Sequence, residues 1–186
     1  MNNEEPRKRL PALAVKSLMA GAAGLGLMAA EPALAVLDAF LDIPGIPGES
    51  QDSKHKGEID VLSYTHTFTQ GEKVKGVRGN CSPVQIVKFL DRATPALALG
   101  AVTGQTIPTM TLTLRKAGDK SADFYNVTMQ DVIVVSTQVN EASGDDKARE
   151  TVSFSPGSVT IVYRPANPDG SLGAAVSEAV SCATGK

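Results

Sequence analysis

The sequence contains no tryptophan, and aromatic residues make up only 4% of its 186 positions. A platform of aromatic side chains on which single-stranded nucleic acid could stack is therefore not expected. The charges nearly balance, with 18 lysines and arginines against 20 aspartates and glutamates. Because nucleic-acid-binding proteins need a basic patch or stripe, we exclude nucleic acid as a partner.

The sequence motifs of common enzyme classes are also missing. There is no phosphate-binding loop, no dinucleotide fingerprint and no Gly-x-Ser-x-Gly elbow. A catalytic triad around His55 would need Asp52 and a nearby serine, and residues so close in one turn rarely point together. His55 and Glu58 supply only two of the ligands that a metal needs. We therefore predict no enzymatic activity and no cofactor, and a hydrolase is the least favoured function.

The first 35 residues have the layout of a secretory signal peptide. A basic lead-in precedes an uncharged run at residues 18–30, and a small-x-small site ends at Ala35. We expect cleavage between Ala35 and Val36, which leaves residues 36–186 as one exported domain, periplasmic or secreted. A run of 13 residues is too short to span a bilayer, which takes about 20. No membrane association is expected after cleavage, although a buried helix or an uncleaved anchor is the alternative.

Cysteine is scarce, and both cysteines lie in the predicted mature domain at Cys81 and Cys182. In an exported protein, an even number of cysteines favours a disulfide. The alternative is two separate buried thiols.

The mature chain reads mainly as β structure with frequent turn residues. We predict strands at residues 36–43, 58–68, 84–89, 109–115 and 124–138, two strands within 150–163 broken by Pro156-Gly157, and a short final strand within 174–182. In the long strand at 124–138, the apolar side chains from Tyr125 to Val135 share one parity and are expected on one face. Loops are expected at residues 70–79, 116–119 and 140–149.

One helix is predicted at residues 94–104. Thr94 is expected as the N-cap, Pro95 as the first helical residue and Gly104 as the left-handed stop. Several short strands and a single helix predict a small barrel or sandwich.

Three blocks of sequence resemble the Hcp family, the tube proteins of type VI secretion. The first is DIPGIPGESQDSKHKGEIDVLSY at residues 42–64, and the second is KFLDRATPAL at residues 88–97. The third is LTLRKAG at residues 112–118, which precedes the Phe124-Tyr125 strand. The blocks occur in family order within residues 37–163.

The resemblance implies a compact two-sheet β-barrel with one flanking α-helix. It also implies a structural subunit that forms rings, commonly hexamers, which stack into a hollow tube. Such a tube carries effector proteins in its lumen and contacts a spike protein at its tip, without catalysis. The expected partners are therefore further copies of this chain, a spike protein and effector cargo.

Two groups of residues become candidates for these contacts. The charged residues of the loop at 48–57 are candidates for the subunit-contact region: Glu49, Asp52, Lys54 and Lys56. The polar faces of two strands are candidates for the lumen: Thr111, Thr113, Asn126, Thr128 and Gln130. For both groups, an ordinary solvated surface is the alternative.

The sequence departs from the family pattern in three places. The loop at 65–80 is shorter and poorer in glycine than is usual, and Tyr64 stands where a tryptophan is common. A signal peptide would also send the chain through a general export channel. A second function is therefore an exported Hcp-like binding module that does not form a tube.

Overall fold

The computed structural model describes residues 37–69, 80–116, 121–141 and 147–182. Every described residue belongs to one compact unit, which spans residues 34–186. The predicted cleavage site at Ala35 and Val36 and the predicted loop at 70–79 lie outside the described residues, as does most of the turn at 116–119.

Within the described ranges the fold is mainly β, with a single short helix, as predicted. The strands are β1 (Leu37–Asp42), β2 (Ile59–Val61), β3 (Ser63–Thr65), β4 (Phe68–Thr69), β5 (Asn80–Cys81), β6 (Val84–Phe89), β7 (Thr106–Lys116), β8 (Ala122–Asn140), β9 (Arg149–Ser155), β10 (Ser158–Tyr163) and β11 (Val176–Ser181), and the helix is α1 (Thr94–Thr103). The single strand predicted at 58–68 is wrong, since that segment forms three short strands.

Nine strands form one antiparallel sheet. Its hydrogen-bonded order is β2-β1-β7-β8-β9-β6-β3, while β10 pairs with β8 and carries β11 at its other edge. Strands β4 and β5 form a separate pair. The two ends of the main order, β2 and β3, are consecutive strands separated only by Leu62. They do not pair with each other, so closure into a two-sheet barrel stays a prediction.

The core lies under the central strands of this sheet. Leu41, Ile59, Leu112, Met129 and Phe154 are among its fully buried side chains. Removing that much apolar surface from water is the main force that holds such a sheet together.

Strand β8 changes faces in the middle, so the prediction of one parity over its whole length is wrong. Val127 and Met129 are buried, but beyond Asp131 the buried residues are Val132 and Val134. Asp131 has a φ of 51°, in the left-handed region that aspartate tolerates better than most residues. This residue breaks the alternation, and β8 pairs with β10 before it and with β9 after it.

Helix α1 ends at Gly104, whose φ of 65° is left-handed and whose N–H bonds to the Gly100 carbonyl. Pro95 lies in the first turn as the second helical residue, one position later than predicted, because the helix begins at Thr94. The predicted N-cap is wrong, because Ala93 occupies that position without a side-chain hydrogen bond. The Thr94 hydroxyl is used elsewhere, in a buried charge cluster described below.

The predicted pairing of the two cysteines is present in the structure. Cys81, at the end of β5, is joined to Cys182, next to the end of β11, with 5.3 Å between their Cα atoms. The bond fastens the outermost strand of the sheet to the short β4–β5 pair.

Candidate assembly surfaces and charge clusters

The loop at residues 48–57 is closed by backbone hydrogen bonds. The Gly48 N–H donates to the Gly57 carbonyl at 2.8 Å, and the Gly57 N–H donates to the Ser50 carbonyl at 2.9 Å. A Cβ at Gly48 would lie 2.3 Å from the Glu58 carbonyl oxygen, so only glycine fits there. The loop therefore has a fixed shape rather than being an open excursion of the chain.

The Asp52 side chain makes several of the hydrogen bonds that hold this loop. Its Oδ1 accepts hydrogen bonds from the Lys54 N–H at 2.8 Å and from the His55 N–H at 3.2 Å. The same oxygen accepts from Arg115 Nη1 on β7 at 2.5 Å. The backbone N–H of Lys54 is the main cause of a lowered pKa of Asp52, with further lowering from His55 and Arg115. Asp52 therefore holds the loop together and fastens it to the sheet.

His55, which the sequence analysis considered as a catalytic or metal-binding residue, is buried. Its ring stacks on Phe40 with centroids 4.3 Å apart. Nδ1 lies 3.0 Å from Glu58 Oε1, and Nε2 lies 3.2 Å from Asp123 Oδ1. Burial raises the pKa of Glu58, and the contact with His55 opposes that change. Both ring nitrogens are thus occupied by carboxylates, which leaves neither for a serine.

The other predicted contact residues of this loop reach solvent. Lys54 and Lys56 are exposed, and Glu49 is exposed while accepting a hydrogen bond from the Arg92 N–H at 3.2 Å. The structure thus separates the four candidates into one internal anchor, Asp52, and three outward charges.

The five residues proposed for the lumen form one polar ladder on neighbouring strands. Thr111 lies opposite Thr128 with their hydroxyls 3.3 Å apart, and Asn126 Nδ2 donates to Thr113 Oγ1 at 3.0 Å. Gln130, at the end of the ladder, accepts a weak hydrogen bond from Ser158 Oγ at 3.4 Å.

The polar face of β7 is not open to water along its whole length. Thr113 and Arg115 are both buried, and Arg115 is bonded to Asp52 of the loop at 48–57. The part of the ladder that remains accessible is centred on the half-buried Thr111 and Thr128 and the exposed Gln130.

Sequence analysis missed a buried charge cluster between two inner strands. Lys88 on β6 and Glu150 on β9 are register partners, and neither side chain is exposed. Lys88 Nζ lies 3.0 Å from Glu150 Oε2 and 2.6 Å from Asp91 Oδ1. The Thr94 hydroxyl accepts from Lys88 at 3.0 Å and donates to Glu150 at 2.8 Å. The second block of the resemblance, residues 88–97, thus supplies three of the four members.

Sequence analysis also missed an exposed apolar surface on α1. The helix has no charged residue, and its Leu99 and Val102 side chains are 62% and 87% exposed. Beside Leu99, a groove of about 320 Å³ lies between the helix and the turn at Pro44–Ile46. The absence of charge from residues 94–104 was the signal that could have revealed this surface, because solvated helices carry a polar face.

Two further statements concern the described residues alone. No helix among them is long and apolar enough to cross a membrane. They also contain no cluster of three or more histidine, cysteine, aspartate or glutamate side chains arranged to hold a metal ion.

Comparisons with known proteins agree on one family. Residues 40–163 match the family described as "Type VI secretion system effector, Hcp". Protein hcp1 of Pseudomonas aeruginosa is 31% identical over 141 residues, which cover 72% of this chain and 87% of that protein.

Solved structures show the same similarity in three dimensions. Hcp1 from Salmonella typhimurium is 30% identical, with a TM-score of 0.68, over 80% of this chain and 95% of that one. A structure described as a type six secretion system protein is 29% identical, with a TM-score of 0.71, over 78% of this chain and 96% of that one. A type VI secretion system effector from Yersinia pestis is 27% identical, with a TM-score of 0.65, over 77% and 99%.

The fold and these matches define a β-rich component of a bacterial secretion machine. More particularly, the chain belongs to the Hcp family of type VI secretion.

Proposed function

We propose that this chain is a structural subunit that assembles with copies of itself into rings, commonly hexamers. The rings stack into a tube, carry effector proteins in the lumen and contact a spike protein, and the subunit has no catalytic activity. Family membership supports this proposal, as does the similarity to solved Hcp structures over more than three quarters of the chain.

The exposed apolar surface of α1 is the observation that most directly supports self-assembly. Leu99 and Val102 stand out from a helix without any charge, next to a groove of about 320 Å³. Exposed apolar groups beside a groove are typical of protein–protein contacts. In a ring, each subunit offers one surface to one neighbour and a different surface to the other. The apolar helix therefore supplies the surface that is buried between subunits. Glu49, Lys54 and Lys56 supply charges that select the partner and set the register.

Closure of the sheet into a two-sheet barrel is part of this proposal. Strands β2 and β3 lie at opposite ends of the hydrogen-bonded order and follow one another in the chain. The Leu62 N–H donates to the Val87 carbonyl of β6 at 2.7 Å, and the preceding Val61 is paired with Ala39 of β1. One bent segment thus joins both ends of the sheet, and no long unpaired edge is left there. The accessible part of the polar ladder, with Thr111, Thr128 and Gln130, then faces the lumen.

We also propose that the chain is exported, with residues 1–35 removed as a signal peptide and residues 36–186 forming the mature domain. The disulfide between Cys81 and Cys182 supports an oxidising destination, periplasmic or secreted. The same bond favours a second candidate function, an exported Hcp-like binding module that does not form a tube.

Measurement of the mass in solution tests the first function against the second. We expect a hexamer for the unaltered protein, and smaller species for Val102→Glu because a charge cannot be buried in an apolar contact without a partner. Val176→Glu, a matched change at an exposed valine on β11, should leave the hexamer intact. A folded monomer across the micromolar range would contradict ring assembly and favour the binding module.

A further inference from the structure

A pocket of about 230 Å³ lies where four strands of the sheet end. It is bounded by Leu37 at the start of β1, Lys116 at the end of β7, Phe124 near the start of β8, and Tyr163 at the end of β10. These residues are held side by side by strand pairing, with Leu37 opposite Lys116. None of its described lining residues belongs to the charged loop, the polar ladder or helix α1, so none of the functions proposed above uses these lining residues.

Another wall of the pocket is the turn between β10 and β11, which has a fixed shape. The Gly173 N–H donates to the Pro165 carbonyl at 2.8 Å, and the Asn167 N–H donates to the Ser171 carbonyl at 2.8 Å. The turn contributes Leu172, which is half-buried, to the pocket. Since the wall is already ordered, a ligand would not have to bear the entropy cost of ordering it.

The described lining residues are apolar except for two cations. Lys116 and Arg164 are the only charged residues among them, and none of the described lining residues carries a carboxylate. Among the described residues, neither cation forms an ion pair with an acidic side chain. In the neighbouring turn, Asp169 Oδ1 accepts hydrogen bonds from the Ser171 N–H and hydroxyl. In a chain with a net charge of −2, Lys116 and Arg164 place two positive charges beside an apolar cavity.

The size of the cavity limits the ligand. Drug-sized ligands occupy pockets of about 300–1,000 Å³, so 230 Å³ suits something smaller. A methylene group is close in size to a water molecule, whose share of liquid volume is about 30 Å³. The pocket thus has room for an aliphatic chain of roughly seven or eight carbons.

We propose that this pocket binds a free medium-chain carboxylate, with the aliphatic chain against Leu37, Phe124 and Leu172. The carboxylate group lies at the Arg164 guanidinium, with Lys116 as a second positive charge. Arginine suits this role because its planar fork can donate two parallel hydrogen bonds to one carboxylate. Burial of the chain supplies affinity, and the cations select the negative head group.

Titration calorimetry of the full-length protein with octanoate tests the inference. We expect saturable binding with one site per chain. Arg164→Gln should weaken binding at least tenfold, because the charge and the paired donors are lost together. The octanoate affinity of Arg164→Lys should lie between those of the unaltered protein and Arg164→Gln, since lysine keeps the charge but lacks the planar pair of donors. Lys56→Gln removes an exposed cation that does not line the pocket and should leave binding unchanged.

Two ligand controls separate the charge from the chain. Octanol should bind at least tenfold more weakly than octanoate, and acetate should show no binding in the same range. Equal binding of octanol and octanoate would overturn the proposal, as would equal binding by the Arg164→Gln variant with an unchanged circular dichroism spectrum. Absence of saturable octanoate binding up to about 5 mM would overturn it as well.

The inference does not rest on ring assembly. The assembly variant Val102→Glu should bind octanoate as well as the unaltered protein does. For the unaltered protein, hexamers that do not bind octanoate would refute the pocket alone, and octanoate binding without hexamers would refute the assembly alone.

Discussion

Lys88 Nζ lies 3.0 Å from Glu150 Oε2 across two paired strands, and neither side chain is exposed to solvent. A buried ion pair need not stabilise a fold, because removing both charges from water costs nearly as much as their attraction returns. Removing one partner is a different matter, since the remaining charge is then buried alone. The cluster formed by Lys88, Asp91, Thr94 and Glu150 therefore makes a sharp test of the core.

Lys88→Met should destabilise the protein by about 3–5 kcal/mol, since it leaves Glu150 buried without its cation. Urea unfolding at neutral pH measures the change. The double variant Lys88→Met/Glu150→Leu should recover part of the loss, because the second change removes the unpaired charge of Glu150 while Asp91 still lacks its cation. Lys54→Met, at an exposed lysine, is the matched control and should change stability by less than about 0.5 kcal/mol. Simple addition of the two single effects would show that the pair is not coupled.

Loss of the disulfide should weaken the outer edge of the sheet most. The bond closes a loop with a sequence separation of 101 residues, for which chain-entropy estimates give about 4–5 kcal/mol before any native strain. We expect the Cys81→Ser/Cys182→Ser variant to unfold at lower urea, and amides of β11 to lose hydrogen-exchange protection first. Most residues of β11 are exposed, so little apolar burial holds that strand in place. Adding a thiol reductant should lower the urea midpoint of the unaltered protein towards that of this variant. It should not change the midpoint of the variant itself.

The loop at 48–57 should loosen in acid. The pKa of Asp52 is lowered in the folded protein, so its contribution to stability is present above the unfolded-state pKa and is lost as the pH falls through the folded-state pKa. Backbone amide signals of Lys54 and His55, which donate to that carboxylate, should report the change by NMR. Asp52→Asn should show the altered signals already at neutral pH. A loop whose signals respond to acid identically in both proteins would exclude Asp52 as the cause.

Tyr64 should resist ionisation. Burial, followed by a hydrogen bond with Tyr125, raises its pKa to about 12. An absorbance titration should therefore show a late step near pH 12, and Tyr64→Phe should remove it. Tyr163→Phe, at an exposed tyrosine, is the control and should leave the late step unchanged. A late step that survives in Tyr64→Phe would assign it to another residue.

Substitutions at Asp131 test whether its left-handed backbone causes the change of buried face within β8. A left-handed conformation costs most residues roughly 1–2 kcal/mol, and glycine adopts it freely. Asp131→Gly should keep or slightly raise stability in urea, while Asp131→Val should lower it by about 1–2 kcal/mol. Val135→Ala, at an exposed position of the same strand, should have little effect. Equal tolerance of valine and glycine at 131 would show that the left-handed φ is not needed.

Most strands were predictable because the local alternation decides them. The segment at 84–89 was predicted with its observed bounds, and the break at Pro156-Gly157 separates β9 from β10 as expected. The change of buried face within β8 was not predictable. It depends on the φ of Asp131, and no sequence pattern marks an aspartate as left-handed.

The buried charge cluster could have been predicted from the sequence, whereas the surroundings of the loop at 48–57 could be predicted only in part. Lys88 shares its parity with Val84 and Ile86 on β6, and Glu150 shares its parity with Val152 and Phe154 on β9. An inward lysine on one strand demands an inward acid elsewhere, which alternation alone could have suggested. By contrast, the burial of His55 depends on Phe40 and Asp123, which are distant in sequence, so no local pattern showed it.

The link between Cys81 and Cys182 also determines how the folded chain would respond to mechanical force. Tension applied to the two ends of the protein crosses directly from one cysteine to the other through the sulfur atoms. The central strands β6 to β10 lie between those cysteines in sequence and so carry no load along their backbone. A stretched molecule would lose its first strands and keep that central part folded until the bond itself was reduced.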